Sequence, residues 1–320
     1  MELVLKILKE NRGQFVSGES LARLSGITRA GIWKQINRLR RNGYLIESSP
    51  RKGYRLLTST PGLYPLELKD GLDTKVFGQI VYEDTEVDST NNWARSLANR
   101  GALEGTLVIA ESQTAGRGRM GRQWASASGQ GLWFSLVLRP RISAPVLGGL
   151  TLLAAVIMAQ TIQSVTGIQP QIKWPNDLIH NGRKLGGILA EMSGEMDLVN
   201  YLILGIGINV NHRPEDFPPE LRGRAVSLQM IQPGNLSRKT LLQEFLRRFE
   251  TAYYALPETG IAEAVRYAKL HSATVGKPVR INRGFGKVLE GEALDLETDG
   301  SLIVKETNGR IVRVFSGDSE

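Results

Sequence analysis

The 320-residue chain contains no cysteine, which excludes disulfides and thiolate metal sites and permits a reducing compartment. Only three histidines are present, His180, His212 and His271, too scattered to offer a zinc motif or a local Ser-His-Asp arrangement. No apolar run reaches the roughly 20 residues that a membrane helix needs. The most apolar stretch, Val146 to Ala159, spans 14 residues with two glycines and a threonine, and reads as part of a buried helix from about Pro145 to Val165. The N-terminus becomes amphipathic at once, with no basic region, apolar core and small-residue cleavage site, so a cytoplasmic protein without a membrane partner is expected. Acidic residues are missing altogether from Ser112 to Asn176, whereas Arg117, Arg119, Arg122, Arg139, Arg141 and Lys173 lie inside that span.

Within that acid-free span stands Gly116-Arg-Gly-Arg-Met-Gly121. It satisfies the dinucleotide pattern G-x-G-x-x-G, which needs a strand before it, a helix after it and an acid about 20 residues on. Leu107 to Ala110 can supply the strand. Gln123 to Gly131, where the helix would stand, is polar and glycine-bearing, Leu132 to Leu138 is strand-like again, and the acid is absent, so the Rossmann reading fails. A flexible arginine-rich loop without neighbouring carboxylates suits an anion, the alternative being a solvated turn.

Positive charge is concentrated. The first 60 residues hold 12 Lys and Arg against 4 Asp and Glu, while the remainder holds 28 of each. Excess charge confined to a small N-terminal unit points to a polyanionic partner for that unit. Leu3, Leu5, Ile7 and Leu8 form the apolar side of a first helix ending near Gly13. Gly18 to Leu24 gives a second, and Thr28 can cap a third that runs to about Arg41 with Gly43 beyond it. Ile32, Ile36 and Leu39 face the core, which leaves Arg29, Trp33, Lys34, Asn37 and Arg38 as groove readers. Tyr44 to Glu47 and Gly53 to Leu57 read as a hairpin whose tip carries Arg51 and Lys52. The pattern predicts a winged helix-turn-helix that binds DNA through Thr28, Arg29, Trp33, Lys34, Asn37, Arg51 and Lys52, followed by a linker at Ser59 to Gly62.

In the centre, Val76 to Glu83 reads as a strand and Trp93 to Asn99 as a helix. Ser89 or Thr90 then stands at the helix start, where a hydroxyl ordinarily caps. Lys173 falls at the end of a strand stopped by Pro175. Asn181-Gly182 predicts a tight hairpin leading into strands Leu185 to Met192 and Tyr201 to Asn209, with a turn at Ser193 to Asp197. Glycines at 186, 187, 205 and 207 imply a close neighbour. The loop His212 to Arg224 is long enough to be functional or disordered. Ser237 can cap a helix on which Arg238, Lys239, Arg247 and Arg248 are solvated. From Thr274 onward, strands at Pro278 to Ile281, Ser301 to Val304 and Arg310 to Val314, with turns at Asp299-Gly300 and Asn308-Gly309, predict a small all-β domain.

Ser89-Thr-Asn, Gly116-Arg-Gly-Arg, Lys173-Trp-Pro-Asn-Asp, Lys184-Leu-Gly-Gly-Ile-Leu and Gly205-Ile-Gly-Ile-Asn-Val, in that order, resemble the motifs of the biotin protein ligases. With the helix-turn-helix, the whole chain is similar to the bifunctional ligases that also repress biotin genes. The resemblance implies an α/β (α+β) fold in three parts: a winged helix-turn-helix over 1–62, a mixed-sheet catalytic domain of the class II synthetase-like type over 63–271, and an SH3-like barrel over 272–320. It implies that biotin and ATP, with Mg²⁺, give biotinyl-5′-adenylate and pyrophosphate, and that the biotinyl group passes to a lysine of a biotin carboxyl carrier domain. Operator DNA and a homodimer bound to the adenylate complete the implied partners.

By the same resemblance, Ser89, Thr90, Gln113 and Gly116, Arg117, Gly118 and Arg119 hold biotin and the adenylate. Lys173 contacts the reacting oxygens and, with Arg117 and Arg119, is the expected catalytic group. Asn209 lies near the nucleotide, and Asn91, Gly186 and Gly187 complete the binding set; no metal-ligating residue is expected. Positioned Arg and Lys suit this chemistry, because adenylation gathers anions and spreads charge over phosphoryl oxygens. Ala225-Val-Ser-Leu228 departs from members that stack an aromatic on adenine just after the long loop. A lipoate ligase and a ligand-sensing transcription factor without ligase activity remain the alternative readings.

Overall fold

The computed structural model describes residues 2–41, 44–58, 63–140, 144–195, 198–282 and 288–319. The expected linker at Ser59 to Gly62, the expected helix stop at Gly43 and the tip of the turn around Met196-Asp197 lie outside them. Two compact units result, Met1–Leu66 and Glu67–Glu320.

The first unit holds α1 (Glu2–Glu10), α2 (Gly18–Ser25), α3 (Arg29–Arg41) and a hairpin of β1 (Leu45–Ser49) and β2 (Gly53–Thr58). Thr28 Oγ1 accepts the Gly31 amide at 3.1 Å, which starts α3 as its sequence position suggested. The core takes Val4, Leu5, Ile7 and Leu8 from α1 and Ile32, Ile36 and Leu39 from α3. Leu3, expected on the apolar side of α1, is 47% exposed, and the 3.6-residue period gives its place to Val4.

The chain continues through α4 (Pro65–Lys69), β3 (Val81–Val87), α5 (Thr90–Asn99), β4 (Leu107–Gln113), β5 (Gly131–Leu138) and α6 (Ala144–Thr166). Next come β6 (Gln171–Lys173), β7 (Asp177–His180), β8 (Arg183–Glu195), β9 (Leu198–Asn209), α7 (Leu228–Ile231), α8 (Arg238–Thr259) and α9 (Ala262–Leu270). Seven strands form a sheet in the order β3-β4-β5-β9-β8-β7-β6, mixed because β3 runs parallel to β4 while the other pairs are antiparallel. Strand β5 is buried along its whole length. Ala94 and Ala98 of α5 pack with Val108, Val137, Tyr201 and Ile203 on one face. On the other face Phe134 meets Phe245 of α8 with ring centroids 5.5 Å apart. Burial on both faces explains why β5 reads as a continuous apolar run.

Asn181 and Gly182 turn the β7–β8 hairpin with φ of 49° and 75°, the conformation that Asn-Gly favours. Helix α6 is long and apolar enough to cross a membrane by length and composition, but 67% of its window Gly149–Thr166 is buried inside the protein. Two expectations fail here. The strand expected from Val76 begins at Val81, because the amides of Lys75, Val76 and Phe77 are taken by the Glu250 carboxylate at 2.7, 2.8 and 2.7 Å. Ser193 to Glu195 continue β8 instead of turning.

The C-terminal sheet is built from β10 (Pro278–Asn282), β11 (Val288–Leu296), β12 (Leu302–Glu306), β13 (Ile311–Val314) and β14 (Asp318–Ser319). Its order is β13-β12-β11-β10-β14 and every pair is antiparallel. Strands β11 and β14 were not anticipated, since the alternation in β11 is carried by Leu289, Gly291 and Ala293, two of them too small to mark a strand.

Candidate active site

The start of α5 does not spend its hydroxyls on capping. Ser89 is the N-cap residue yet makes no side-chain cap bond. Thr90 donates its amide and its hydroxyl to Gln113 Oε1 at 2.9 and 3.2 Å. Ser135 Oγ on β5 lies 2.8 Å from Thr90 Oγ1 and 2.6 Å from Asn91 Oδ1, and Gln113 Nε2 donates to Ser126 Oγ at 2.8 Å. Ser89, Thr90 and Asn91 are all buried. The paired groups of Thr90, Asn91, Gln113 and Ser135 hold one arrangement, while the Ser89 hydroxyl is left without a cap bond.

That network is made possible by the sheet beneath it. A Cβ on Gly205 would lie 2.0 Å from Asn91 Oδ1, and one on Gly207 would lie 2.8 Å from Cε2 of Trp124. Both glycines therefore clear space for side chains lying on β9. Asn91 Nδ2 reaches on to Glu191 Oε2 at 2.7 Å, and Arg95 Nη2 donates to Glu191 Oε1 at 2.6 Å.

Two backbone bonds pin the glycine-arginine loop: Gly118 N to Arg122 O at 2.7 Å and Trp124 N to Gly116 O at 2.8 Å. A short 3-10 turn, Arg119–Gly121, occupies the place where a dinucleotide site would start a helix. Arg117 Nη2 donates to Asn92 Oδ1 at 2.6 Å and lies 3.2 Å from Glu191 Oε1. The absence of carboxylates near the loop in sequence is thus not an absence in space. Arg119 Nη2 donates to the Gly317 carbonyl of the C-terminal sheet region at 3.3 Å.

Lys173 closes β6, half-buried, and its ammonium has no partner among the described residues. Nearby, Lys184 Nζ pairs with Asp177 Oδ2 at 2.7 Å and stands 5.2 Å from the Trp124 ring centroid. Asp177 Oδ1 is buried with no donor. Asn209 Nδ2 donates to the carbonyls of Lys184 and Val226 at 3.3 and 3.1 Å, joining β9 to the end of the long loop. That loop is ordered by short 3-10 turns at Pro214–Asp216 and Pro219–Leu221. Its His212 stacks on Phe217 at 4.8 Å, and burial pushes the imidazole down to about 4, so it is neutral near pH 7.

These elements enclose a cavity of about 740 Å³, within the range for small-molecule sites. It is lined by Ser89, Thr90 and Asn91 of the α5 start, by Gln113, Arg117, Gly118 and Arg119, and by Lys173, Gly187 and Asn209. Gly116 and Gly186 fall outside the lining. Gly116 is held against the Trp124 carbonyl, 2.6 Å from where its Cβ would be, and Gly186 against Ile208 of β9. The sequence reading missed Arg122, Trp124, Asp177, Lys184, Phe217 and Arg224 in the lining. Asp177 and Lys184 stood inside quoted motifs and could have been found. Trp124 and Phe217 carried no local signal, and they supply aromatic surface where Ala225 does not. Arg238, expected to be solvated, is 5% exposed. It donates to Glu111 Oε2 at 2.8 Å and to the Gly131 carbonyl at 3.0 Å, fixing the start of β5.

In the first unit, Thr28, Arg29, Trp33, Lys34, Arg51 and Lys52 are exposed and Asn37 is half-buried. Trp33, Lys34 and Asn37 border one shallow concavity on α3 with Arg38, Arg40 and Arg41.

A mixed sheet whose cavity is closed by a cationic glycine loop is the scaffold of a protein class, and residues 85–209 match its family model, the biotin/lipoate A/B protein ligase family. Residues 1–55 match an HTH domain and residues 274–318 a biotin protein ligase C-terminal domain. The bifunctional ligase/repressor BirA of Bacillus subtilis (strain 168) is 41% identical over 318 residues, 99% of this chain and 97% of that protein. The protein of the same name from Escherichia coli (strain K12) is 33% identical over 297 residues, 92% of this chain and 89% of that one. Among solved structures, a biotin protein ligase from Aquifex aeolicus in complex with biotin and ATP superposes with a TM-score of 0.66 at 30% identity, covering 76% of this chain and 98% of that one. The chain belongs to the biotin protein ligase family, among the members that carry an N-terminal helix-turn-helix.

Proposed function

We propose that this protein joins biotin to a lysine of a biotin carboxyl carrier domain in two steps and represses biotin genes with biotinyl-5′-adenylate as corepressor. The observation that carries the catalytic reading is the meeting of five sequence motifs, spread from Ser89 to Asn209, around one cavity whose Lys173 ammonium is unpartnered among the described residues. In the first step a biotin carboxylate oxygen attacks the α-phosphorus of ATP, the bond to the bridging oxygen breaks, and pyrophosphate leaves. In the second, the carrier lysine amine attacks the acyl carbon, loses a proton and displaces AMP.

Arg117, Arg119 and Lys173 are the groups that stabilise charge on the carboxyl and phosphoryl oxygens; Arg suits paired contacts and Lys a point contact. Ser89, Thr90, Asn91 and Gln113 orient biotin, and the Trp124 ring, with Asn209 beside it, takes the base, while Phe217, stacked on His212, backs that end of the cavity. Mg²⁺ accompanying the phosphates would supply charge neutralisation, held chiefly by the substrate's own phosphate oxygens. Although no metal-ligating residue is expected from the sequence, the Asp177 oxygen left unpaired beside the Lys184 ion pair is the group that would help to hold it.

The division at 62/63 and 271/272, a cytoplasmic location, DNA contact through Thr28, Arg29, Trp33, Lys34, Asn37, Arg51 and Lys52, and a homodimer formed with the adenylate belong to the same reading. A dimer would match a two-fold operator. Mass spectrometry of a carrier domain incubated with the protein, biotin and MgATP tests the ligase. One biotinyl adduct on one lysine is expected, and pyrophosphate exchange driven by lipoate but not biotin overturns it. Mass measurement at DNA-binding concentrations with biotinyl-adenylate tests the dimer, and monomers alone would refute it.

A further inference from the structure

Helix α3 divides its polar side chains into two sets. Arg29 Nη2 is tied to Glu19 Oε2 at 2.8 Å, and Arg40 donates from Nε and Nη2 to the Ile46 carbonyl at 3.0 and 2.7 Å. The Arg40 bonds serve the unit's own fold, while the Arg29–Glu19 pair is exposed and can open to a ligand. Lys34, Asn37, Arg38 and Arg41 have no side-chain partner among the described residues. Among them stands Trp33, 59% exposed, while the helix buries Ile32, Ile36 and Leu39 on its other side. The indole adds little to the core, and the Asn37 carboxamide one turn on keeps its donor and acceptor free.

We infer that Trp33 and Asn37 read A·T base pairs in the major groove, the Trp33 ring against a thymine C5-methyl and the Asn37 carboxamide on adenine N6 and N7. This rests on the repressor reading and deepens it. The major groove offers one apolar feature, the thymine methyl, and one edge that matches a carboxamide donor and acceptor together, that of adenine. Guanine is favoured by a paired arginine contact, which neither Trp33 nor Asn37 can make, so that readout falls to arginines such as the exposed Arg29 at the helix start. Four residues of helix rise about 6 Å, close to two base-pair steps of roughly 3.4 Å, so the two pairs lie within about two steps of each other. Lys34, Arg38 and Arg41 meet phosphates, which adds affinity without sequence.

The test uses the full chain with biotin and MgATP. Selection from a random duplex library yields the preferred half-site, which is then resynthesised with deoxyuridine for thymidine or 7-deazaadenine for adenine. With unaltered protein, one deoxyuridine position and one 7-deazaadenine position each weaken binding about tenfold. Trp33→Ala abolishes the deoxyuridine effect and Asn37→Ala the 7-deazaadenine effect. A selected half-site whose affinity is unchanged by every deoxyuridine and 7-deazaadenine replacement overturns the inference, with no variant involved. So does a deoxyuridine penalty that is the same in Trp33→Ala as in the unaltered protein. Enrichment of no sequence at all defeats the repressor reading and the inference with it.

Discussion

The two arginine-rich stretches of the chain, helix α3 and the loop Gly116 to Gly121, look alike in composition and hold their charge in opposite ways. On α3, Lys34, Arg38 and Arg41 are unpartnered among the described residues and face solvent in a unit with a basic excess. In the loop, Arg117 is tied to Asn92 and to Glu191 on a distant strand, and the unit around it balances acids and bases. An extended polyanion needs many loosely held charges that release its counterions. A reacting anion needs a few charges fixed in place before it arrives. Charge count alone therefore does not separate the two jobs; the partners of each cation do.

The most tightly held cation gives the largest expected effect. Arg238→Ala leaves the Glu111 carboxylate without its buried partner and should destabilise the protein by about 3–5 kcal/mol, read as a lowered urea midpoint. An unchanged midpoint would mean that Arg238 holds nothing. Lys173→Ala removes a cation with no partner among the described residues. It should cost about 3 kcal/mol of transition-state stabilisation, over a hundredfold in pyrophosphate exchange, with little change in unfolding midpoint. Loss of stability without loss of exchange would assign Lys173 to the fold. Glu191→Gln should free Arg117 and lower kcat/KM for biotin about tenfold; no change would show that Arg117 does not depend on that carboxylate. The smallest effect belongs to the freest charges. Arg38→Ala with Arg41→Ala should weaken DNA binding about fivefold at moderate salt and flatten the slope of log affinity against log salt by roughly two. An unaltered slope would remove those arginines from the phosphate contacts.

Much of this was legible in the sequence because it is local. Asn181-Gly182 announces its hairpin, Thr28 and Ser237 announce their helices, and the failed dinucleotide pattern correctly gave a loop between strands. The motif residues Ser89, Gln113, Arg117 and Lys173 do meet at one cavity. What escaped depends on residues far apart in the chain. Arg238 looks like any solvated helix arginine until Glu111 is beside it, 127 positions away. Arg117 looked uncompensated because Glu191 lies 74 residues further on. Trp124 and Phe217 reach the cavity because β9 is bared at Gly207 and the long loop folds back; the glycines announce a close neighbour and the loop its length, but neither tells which side chain arrives.

The carboxylate of Glu250, which gathers three consecutive amides at 75–77, has a consequence for the order of assembly. The helix-turn-helix unit buries its last core residue at Leu56 and packs Leu66 against that core, early in synthesis. The entrance to the edge strand of the catalytic sheet, emerging only about ten residues after Leu66, must wait for an acceptor that the ribosome adds more than 170 residues afterwards. The DNA-binding unit can close behind the growing chain, whereas the catalytic sheet is sealed at its edge only when α8 has been made.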